Sequence, residues 1–284
     1  MSTITAVVAR HPVFAYFALT FAISWGGALL VIGGSGGMLG TTPASDPRFV
    51  YALVAMLAGP SVAGILLTAL VSGRTGLRAF LSRLLVWRLG ATWYAVALLT
   101  APILMTATLL ALSAISPAFL PGILTSGHKA AVLLIGVAVG LSAGVFEELG
   151  WTGFAIPAMR QRHGVRATGL IVGIWWSAWH LLPNVWASRA ASGELPVSVF
   201  LAATAAGVVI GYLTAFRVLM VWVYDRTESL FLMMLMHASL TASLLILNPL
   251  DIAGARLLTF SFALAAAVWA VASGPVRFGR NWRG

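Results

Sequence analysis

The sequence has 284 residues, of which 60% are hydrophobic and 8% are charged. Soluble proteins carry roughly one charged residue in four, so this composition excludes an ordinary water-soluble fold and predicts an integral membrane protein. The formal net charge is +10, but the arginines are spread between apolar runs. This distribution argues against nucleic-acid binding and favours membrane lipid, through its anionic headgroups, as a partner. The sequence has no cysteine, which excludes disulfides and thiolate chemistry.

Eight apolar windows follow one another along the chain, and each is close to the length that crosses a bilayer as a helix. They run approximately over Val13–Val31, Phe49–Val71, Trp93–Ile115, Ala130–Leu149, Leu170–Trp186, Val197–Met220, Leu230–Leu247 and Leu257–Val271. The first window is interpreted as a span rather than a removable signal peptide. We therefore predict an all-α polytopic membrane helix bundle with about eight transmembrane helices, forming a single membrane domain over residues 1–284.

The basic residues of the connections predict the orientation, because cytoplasmic connections are usually the basic ones. With the N-terminus inside, the inside set contains Arg10, Arg74, Arg78, Arg83, Arg88, Arg160, Arg162, Arg166, Arg217, Arg226, Arg277, Arg280 and Arg283. The outside set is much smaller and contains Arg48, Lys129, Arg189 and Arg256. This asymmetry predicts a multi-pass protein of the cell membrane with both termini cytoplasmic.

Four ionisable side chains fall inside apolar segments, namely Glu147, Glu148, His180 and His237. A charge at the centre of a membrane helix costs about 2.5–3.5 kcal/mol on insertion scales, so such groups usually face the bundle interior and mark a functional site. A polar cluster that only holds helices together is the alternative interpretation. We take these four residues as the candidate site.

The spacing of neighbouring polar residues indicates what this site could do. Glu147 and Glu148 project about 100° apart from one helix, so both can border one cavity while meeting different neighbours. A single helix face is predicted to carry Trp176, His180 and Asn184, which follow one another at intervals of four residues. Aromatic rings beside the polar groups of this face could hold a water and exclude bulk solvent. His237 and Thr241 share another face and offer an imidazole and a hydroxyl to one ligand atom.

A carboxylate base, an imidazole that holds a water and a second imidazole beside a hydroxyl are the groups needed to hydrolyse an acyl bond. A proton-coupled transporter could use the same residue types as a proton relay. The His-Glu-x-x-His signature of soluble zinc proteases does not occur in this sequence. The residues alone leave both classes open.

Three ordered motifs resemble the CAAX prenyl protease and bacteriocin-processing (CPBP or Abi) family of intramembrane proteases. The motifs are EELGWTGF at 147–154, Trp176-x-x-x-His180, and YDRTxSL at 224–230 leading to His237-Ala238-Ser239. The resembling region extends over residues 73–243. The resemblance implies an endopeptidase that acts on membrane-associated peptides or proteins. The compact, arginine-rich chain looks like the bacterial members, so we expect it in a bacterial inner membrane.

By this resemblance, Glu147 activates water, His180 positions it, His237 binds the oxyanion and Glu148 braces Glu147, with Thr241 beside them. Thr152, Trp176 and Asn184 are predicted to contact substrate. A metal-free mechanism is favoured and no cofactor is assigned, although zinc on Glu147, His180 and His237 is a possible alternative.

Two positions depart from the family pattern. Thr152 stands where the family commonly has Arg, and Thr241 stands where it commonly has Asn. These departures leave open a catalytically inactive member that acts as a membrane scaffold, binding or immunity protein.

Overall fold

The computed structural model describes residues 8, 10–38, 46–187, 196–249 and 254–277, and within these ranges it contains helices and no strand. Seven of the described helical segments are long and apolar enough to cross a membrane. They are Pro12–Ile32, Phe49–Leu84, Ala91–Ser113, Lys129–Arg160, Val197–Thr227, Leu230–Leu247 and Arg256–Gly274. The predicted all-α polytopic bundle is confirmed.

Individual helices are numbered in chain order as follows. They are α1 (Pro12–Ile32), α2 (Phe49–Leu84), α3 (Ala91–Ser113), α4 (Gly122–Thr125), α5 (Lys129–Gly150), α6 (Ile156–Arg160), α7 (Val165–Trp179), α8 (Leu181–Ala187), α9 (Val197–Thr204), α10 (Leu213–Thr227), α11 (Leu230–Leu247) and α12 (Gly254–Arg277). Short 3₁₀ turns occupy Ser35–Met38 and Pro117–Phe119, and π-helical turns occupy Trp151–Ala155 and Ala205–Tyr212.

The predicted window Leu170–Trp186 is the one that differs most from the structure. Two helices, α7 and α8, meet at His180 in place of one continuous span. The first of them has 15 residues, which is shorter than the ~20 residues that cross a bilayer, so it is not among the seven long helices. The prediction that both termini are cytoplasmic depends on the number of crossings and stays a prediction.

Helix α2 continues past the predicted end at Val71 to Leu84, with a sharp bend on the way. The bend lies at Gly73, whose φ of 57° and ψ of −149° are disfavoured for a residue with a Cβ atom. The arginine-rich segment that follows remains helical, and Arg83 donates hydrogen bonds to the Tyr224 hydroxyl and the Gly153 carbonyl. The bend therefore turns this segment toward α10 and the π-helical turn after α5.

The start of α2 is tied to the end of α1 by one arginine. Arg48 pairs with Asp46 and also donates to the carbonyl of Ile32, 2.9 Å away. The hydrogen bonds from Arg48 lower the pKa of Asp46 below its usual value. These hydrogen bonds of Arg48 keep the end of α1 and the start of α2 together where both helices border the cavity described below.

A row of glycines brings α5 against α11 at backbone distance. A Cβ atom added to Gly140 or Gly144 would lie 2.6 Å from the carbonyl oxygen of Ala238 or 2.3 Å from that of Met234, respectively. Small residues allow such close approach in membranes, where lipid removes the hydrophobic drive between helices. The contact sets the position of the glutamates at the end of α5 relative to His237 on α11.

We predict that Gly144→Ala destabilises the protein by about 1–3 kcal/mol, because the new methyl group must push α11 away. Gly26→Ala is the matched control, since an added Cβ at this helical glycine meets nothing within 4 Å. Thermal unfolding in detergent should show a lower midpoint for the Gly144 variant only. Equal midpoints for the two variants would contradict the close contact.

Candidate active site

Glu148 lies at the centre of a polar cluster that is closed to solvent. Its Oε1 accepts from His237 Nδ1 at 2.7 Å and from Arg217 at 2.9 Å. Its Oε2 accepts from the other terminal nitrogen of Arg217 at 2.8 Å and from the Thr152 hydroxyl. The side chains of Glu148 and Arg217 are both 0% exposed. This carboxylate is therefore fully engaged with three partners.

Four segments meet to form this cluster. Glu148 belongs to α5, Arg217 to α10 and His237 to α11. Thr152 lies in the π-helical turn Trp151–Ala155 that directly follows α5, four residues after Glu148. The cluster thus joins the end of α5 to two other helices.

Glu147, the neighbour of Glu148, meets different partners. Its Oε2 accepts a hydrogen bond from Trp176 Nε1 at 2.8 Å and lies 3.8 Å from His237 Nε2. The residue is 3% exposed. The predicted divergence of the two glutamates is therefore seen in their contacts, and His237 lies between them with one ring nitrogen directed to each.

His180 lies at the junction between α7 and α8. Its Nδ1 is 2.8 Å from the carbonyl oxygen of Trp176. Because a carbonyl oxygen only accepts, Nδ1 carries the hydrogen and Nε2 of the neutral ring is left as an acceptor. The rings of Trp176 and Trp179 pack edge-on against the imidazole, with centroids 5.3 Å and 4.8 Å away. The ring orientation of His180 is thus set by its own helix.

A cavity of about 430 Å³ connects these residues to the surface of the bundle. Its polar lining comes from Ser142, Glu147, His180 and Thr241, and most of the remaining lining comes from apolar side chains of α1, α2, α5 and α8. Val50 and Val54, at one edge, are 62% and 61% exposed. The cavity therefore places a carboxylate, an imidazole and a hydroxyl from three helices around one space.

The three residues predicted to bind substrate occupy different places. Thr152 and Trp176 are buried and donate hydrogen bonds to Glu148 and Glu147, respectively. Asn184 is partly buried on α8 and is not among the residues that line the cavity. Their substrate contacts stay a prediction, whereas the first two contact the carboxylates directly.

Zinc was considered for Glu147, His180 and His237. In the described ranges, no three His, Cys, Asp or Glu side chains are arranged as a group that could hold a metal ion. The metal-free mechanism therefore stays a prediction, with Glu147, His180 and His237 as the ligands that zinc would need.

Arg217 was assigned to a cytoplasmic connection by the charge count, and this assignment is wrong. The residue lies within α10 and is fully buried against Glu148. The available signal was its position inside the apolar window Val197–Met220, where an ionisable residue is expected to have a buried partner.

The helices that carry this site are similar to a known family of membrane endopeptidases. Residues 129–243 match the family model described as type II CAAX prenyl endopeptidase Rce1-like. The family resemblance is confirmed. The matched region contains Glu147, Glu148, His180, Arg217 and His237, and it lies inside the predicted range 73–243.

A 40-residue segment is also 42% identical to the CAAX prenyl protease 2 of Methanococcus maripaludis. This segment covers 14% of the chain and 15% of that protein. A similarity to Rce1-like endopeptidases is thus established for the central helices.

We predict that Glu148→Gln destabilises the protein strongly, by about 3–5 kcal/mol, because it leaves Arg217 as a buried cation without its carboxylate. Glu147→Gln should change stability little, since its remaining carbonyl oxygen can still accept from Trp176. Thermal unfolding of the two variants in detergent checks this difference between adjacent residues. The interpretation fails if the two variants unfold at the same temperature.

Proposed function

We propose that this chain is an intramembrane endopeptidase that hydrolyses peptide bonds of membrane-associated proteins or peptides. The observation that carries the proposal is the cavity whose lining includes Glu147, His180 and Thr241. His237 lies next to this lining, with Nε2 3.8 Å from Glu147 Oε2. The match of these helices to Rce1-like endopeptidases supports the same reaction class.

In the proposed reaction, Glu147 is the general base. One of its oxygens is held by Trp176, so the carboxylate has a defined orientation toward the cavity. His180 Nε2 accepts a hydrogen bond from the attacking water, and Glu147 removes the water's other proton. The hydroxide equivalent then forms a bond to the carbonyl carbon of the scissile peptide.

The carbonyl oxygen gains negative charge at this step and needs donors. We assign the Thr241 hydroxyl and His237 Nε2 to this role, which requires His237 to carry protons on both nitrogens while Glu148 holds Nδ1–H. Glu147 then delivers its proton to the leaving nitrogen as the carbon–nitrogen bond breaks. The water's second proton stays on the oxygen that was added, so the products are a carboxylic acid and an amine, and Glu147 returns to its starting form.

The apolar walls of the cavity and the exposed valines at its edge support a substrate that approaches from the bilayer. Leader-bearing peptides, bacteriocin precursors and other membrane proteins are the substrate classes we propose. We propose a bacterial inner membrane as the location of the protein.

The alternative of an inactive scaffold was raised by Thr152 and Thr241. Thr241 lies on the lining of the cavity, where its hydroxyl can donate. Glu148 has a guanidinium partner in Arg217 even though Thr152 replaces the usual arginine. Both observations support an active site.

We predict that Glu147→Gln abolishes cleavage, because an amide cannot accept the proton of the attacking water. Ser142→Ala is the matched control: Ser142 lines the same cavity, but its hydroxyl donates to Ala138 of its own helix. Mass spectrometry of membrane peptides from cells carrying each variant should show product peptides with the native and Ser142 variants only. The uncut membrane peptides from which those products derive then serve as substrates for the purified proteins in liposomes. Full cleavage by the Glu147 variant would overturn the mechanism.

We predict that Thr241→Val lowers kcat by about 10²–10³-fold with little change in KM, because it removes one donor to the oxyanion while conserving volume. Thr241→Ser should retain most of the activity. Steady-state cleavage of a peptide identified above measures both constants. An unchanged kcat for the valine variant would remove Thr241 from the oxyanion site.

A further inference from the structure

We propose that Arg217 is a positioning residue of this site, and that it supplies from α10 the guanidinium that the family motif carries at position 152. The inference rests on the proposed function and adds a residue that the three motifs do not include. Arg217 reaches both oxygens of Glu148, and Glu148 in turn holds His237.

The packing of α10 against α7 explains how an arginine from another helix reaches Glu148. A Cβ atom added to Gly169 would lie 2.7 Å from the Cα atom of Val218, and one added to Gly173 would lie 3.0 Å from the Cα atom of Thr214. The two backbones are therefore in near contact on either side of Arg217. This approach brings the base of the Arg217 side chain close to the helix that carries Trp176.

The Trp176 ring provides the other surface on which the guanidinium rests. The Arg217 Cζ atom lies 4.1 Å from the centroid of this ring, a distance typical of a cation–π contact. The indole N–H of the same ring donates to Glu147. Arg217 thus contacts Glu148 directly and also packs against the residue that orients Glu147.

Thr152 and Arg217 share one acceptor atom. The Thr152 hydroxyl and one terminal nitrogen of Arg217 both donate to Glu148 Oε2. Thr152 is itself 0% exposed, so an arginine at this position would enter the space around the same carboxylate. The small residue at 152 and the buried arginine at 217 therefore form a complementary pair, in which one guanidinium serves one carboxylate.

The consequence for catalysis passes through His237. Two hydrogen bonds from a planar guanidinium fix the rotation of the Glu148 carboxylate, which a single point charge would not do. With its carboxylate fixed, Glu148 Oε1 holds His237 Nδ1 at 2.7 Å and leaves Nε2 directed toward Glu147. Loss of Arg217 should therefore lower the rate of the chemical step more than it changes substrate binding.

The test moves the arginine between the two positions. Four variants are compared with the native chain on a membrane peptide that the native chain cleaves. They are Arg217→Gln, Thr152→Arg, the double variant Thr152→Arg/Arg217→Gln and Arg217→Lys. We expect Arg217→Gln to lower kcat by about 10–100-fold, the range found when the hydrogen-bond partner behind a metal ligand is removed, with KM within about twofold. Thr152→Arg alone should also lose activity, because two cations then compete for one carboxylate.

The double variant gives the deciding result. It should recover kcat to within about threefold of the native value, since position 152 again supplies the guanidinium. Arg217→Lys should recover only part of the activity, because an ammonium keeps the charge without the planar pair of donors. Arg88→Gln is the control outside the three motifs: Arg88 is exposed and packs on the ring of Trp87, and its replacement should leave kcat unchanged.

Native kcat in Arg217→Gln would overturn the proposal. If that variant fails to fold, the double variant still tests the proposal. A double variant that folds without activity, or that also fails to fold, shows that an arginine at position 152 cannot replace Arg217 and overturns the proposal. Failure of the proposed function is a separate result, in which neither the native chain nor Glu147→Gln cleaves any peptide. The exchange can then be read from thermal unfolding in detergent, which Arg217→Gln should lower and the double variant should restore.

Discussion

The ion pair between Glu148 and Arg217 constrains the arrangement of the whole site. Neither side chain is exposed, and both belong to helices within a bundle of strongly apolar character. Leaving either charge without the other inside such a bundle costs several kcal/mol, so α5 and α10 must approach until the pair forms. His237 joins the same carboxylate from α11. The geometry of the candidate site is therefore a consequence of where two buried charges can be paired.

Close helix packing makes this ion pair possible. Lipid gives apolar helices no reason to prefer one another, so their association depends on backbone approach and on polar contacts. Gly140 and Gly144 bring α5 to the carbonyls of α11, while Gly169 and Gly173 bring α7 to the backbone of α10. The first contact joins the helices that carry Glu148 and His237, and the second involves the helix that carries Arg217. A side chain added at one of these glycines would move its helix by a few tenths of an ångström. This movement would lengthen the hydrogen bonds of 2.7 to 2.9 Å around Glu148.

The fold class and four of the central residues could be predicted from the sequence, because Glu147, Glu148, His180 and His237 interrupt apolar runs. Arg217 also interrupts such a run, but the orientation count treats an arginine near the end of a window as part of a connection. The partner that makes its burial tolerable lies on a different helix, which a single sequence does not show. The break at His180 was missed for a different reason. A hydropathy window reports how apolar a stretch of residues is, and it does not detect where one helix ends and another begins. Thr152 was visible as a departure from the motif, whereas its compensation by Arg217 required the three-dimensional contacts.

The two adjacent glutamates illustrate how one helix can assign different tasks to chemically identical neighbours. Both terminal nitrogens of Arg217 donate to Glu148, which is also bound by Thr152 and His237. Glu147 receives its hydrogen bond from an uncharged indole and lines the cavity. A carboxylate paired with a guanidinium is a poor proton acceptor, whereas one that faces a cavity with a neutral donor can take a proton and return it. Glu148 takes up both terminal nitrogens of Arg217, which leaves Glu147 with the indole of Trp176 and, 3.8 Å away, His237 Nε2. This division of partners supports Glu147 as the proposed base.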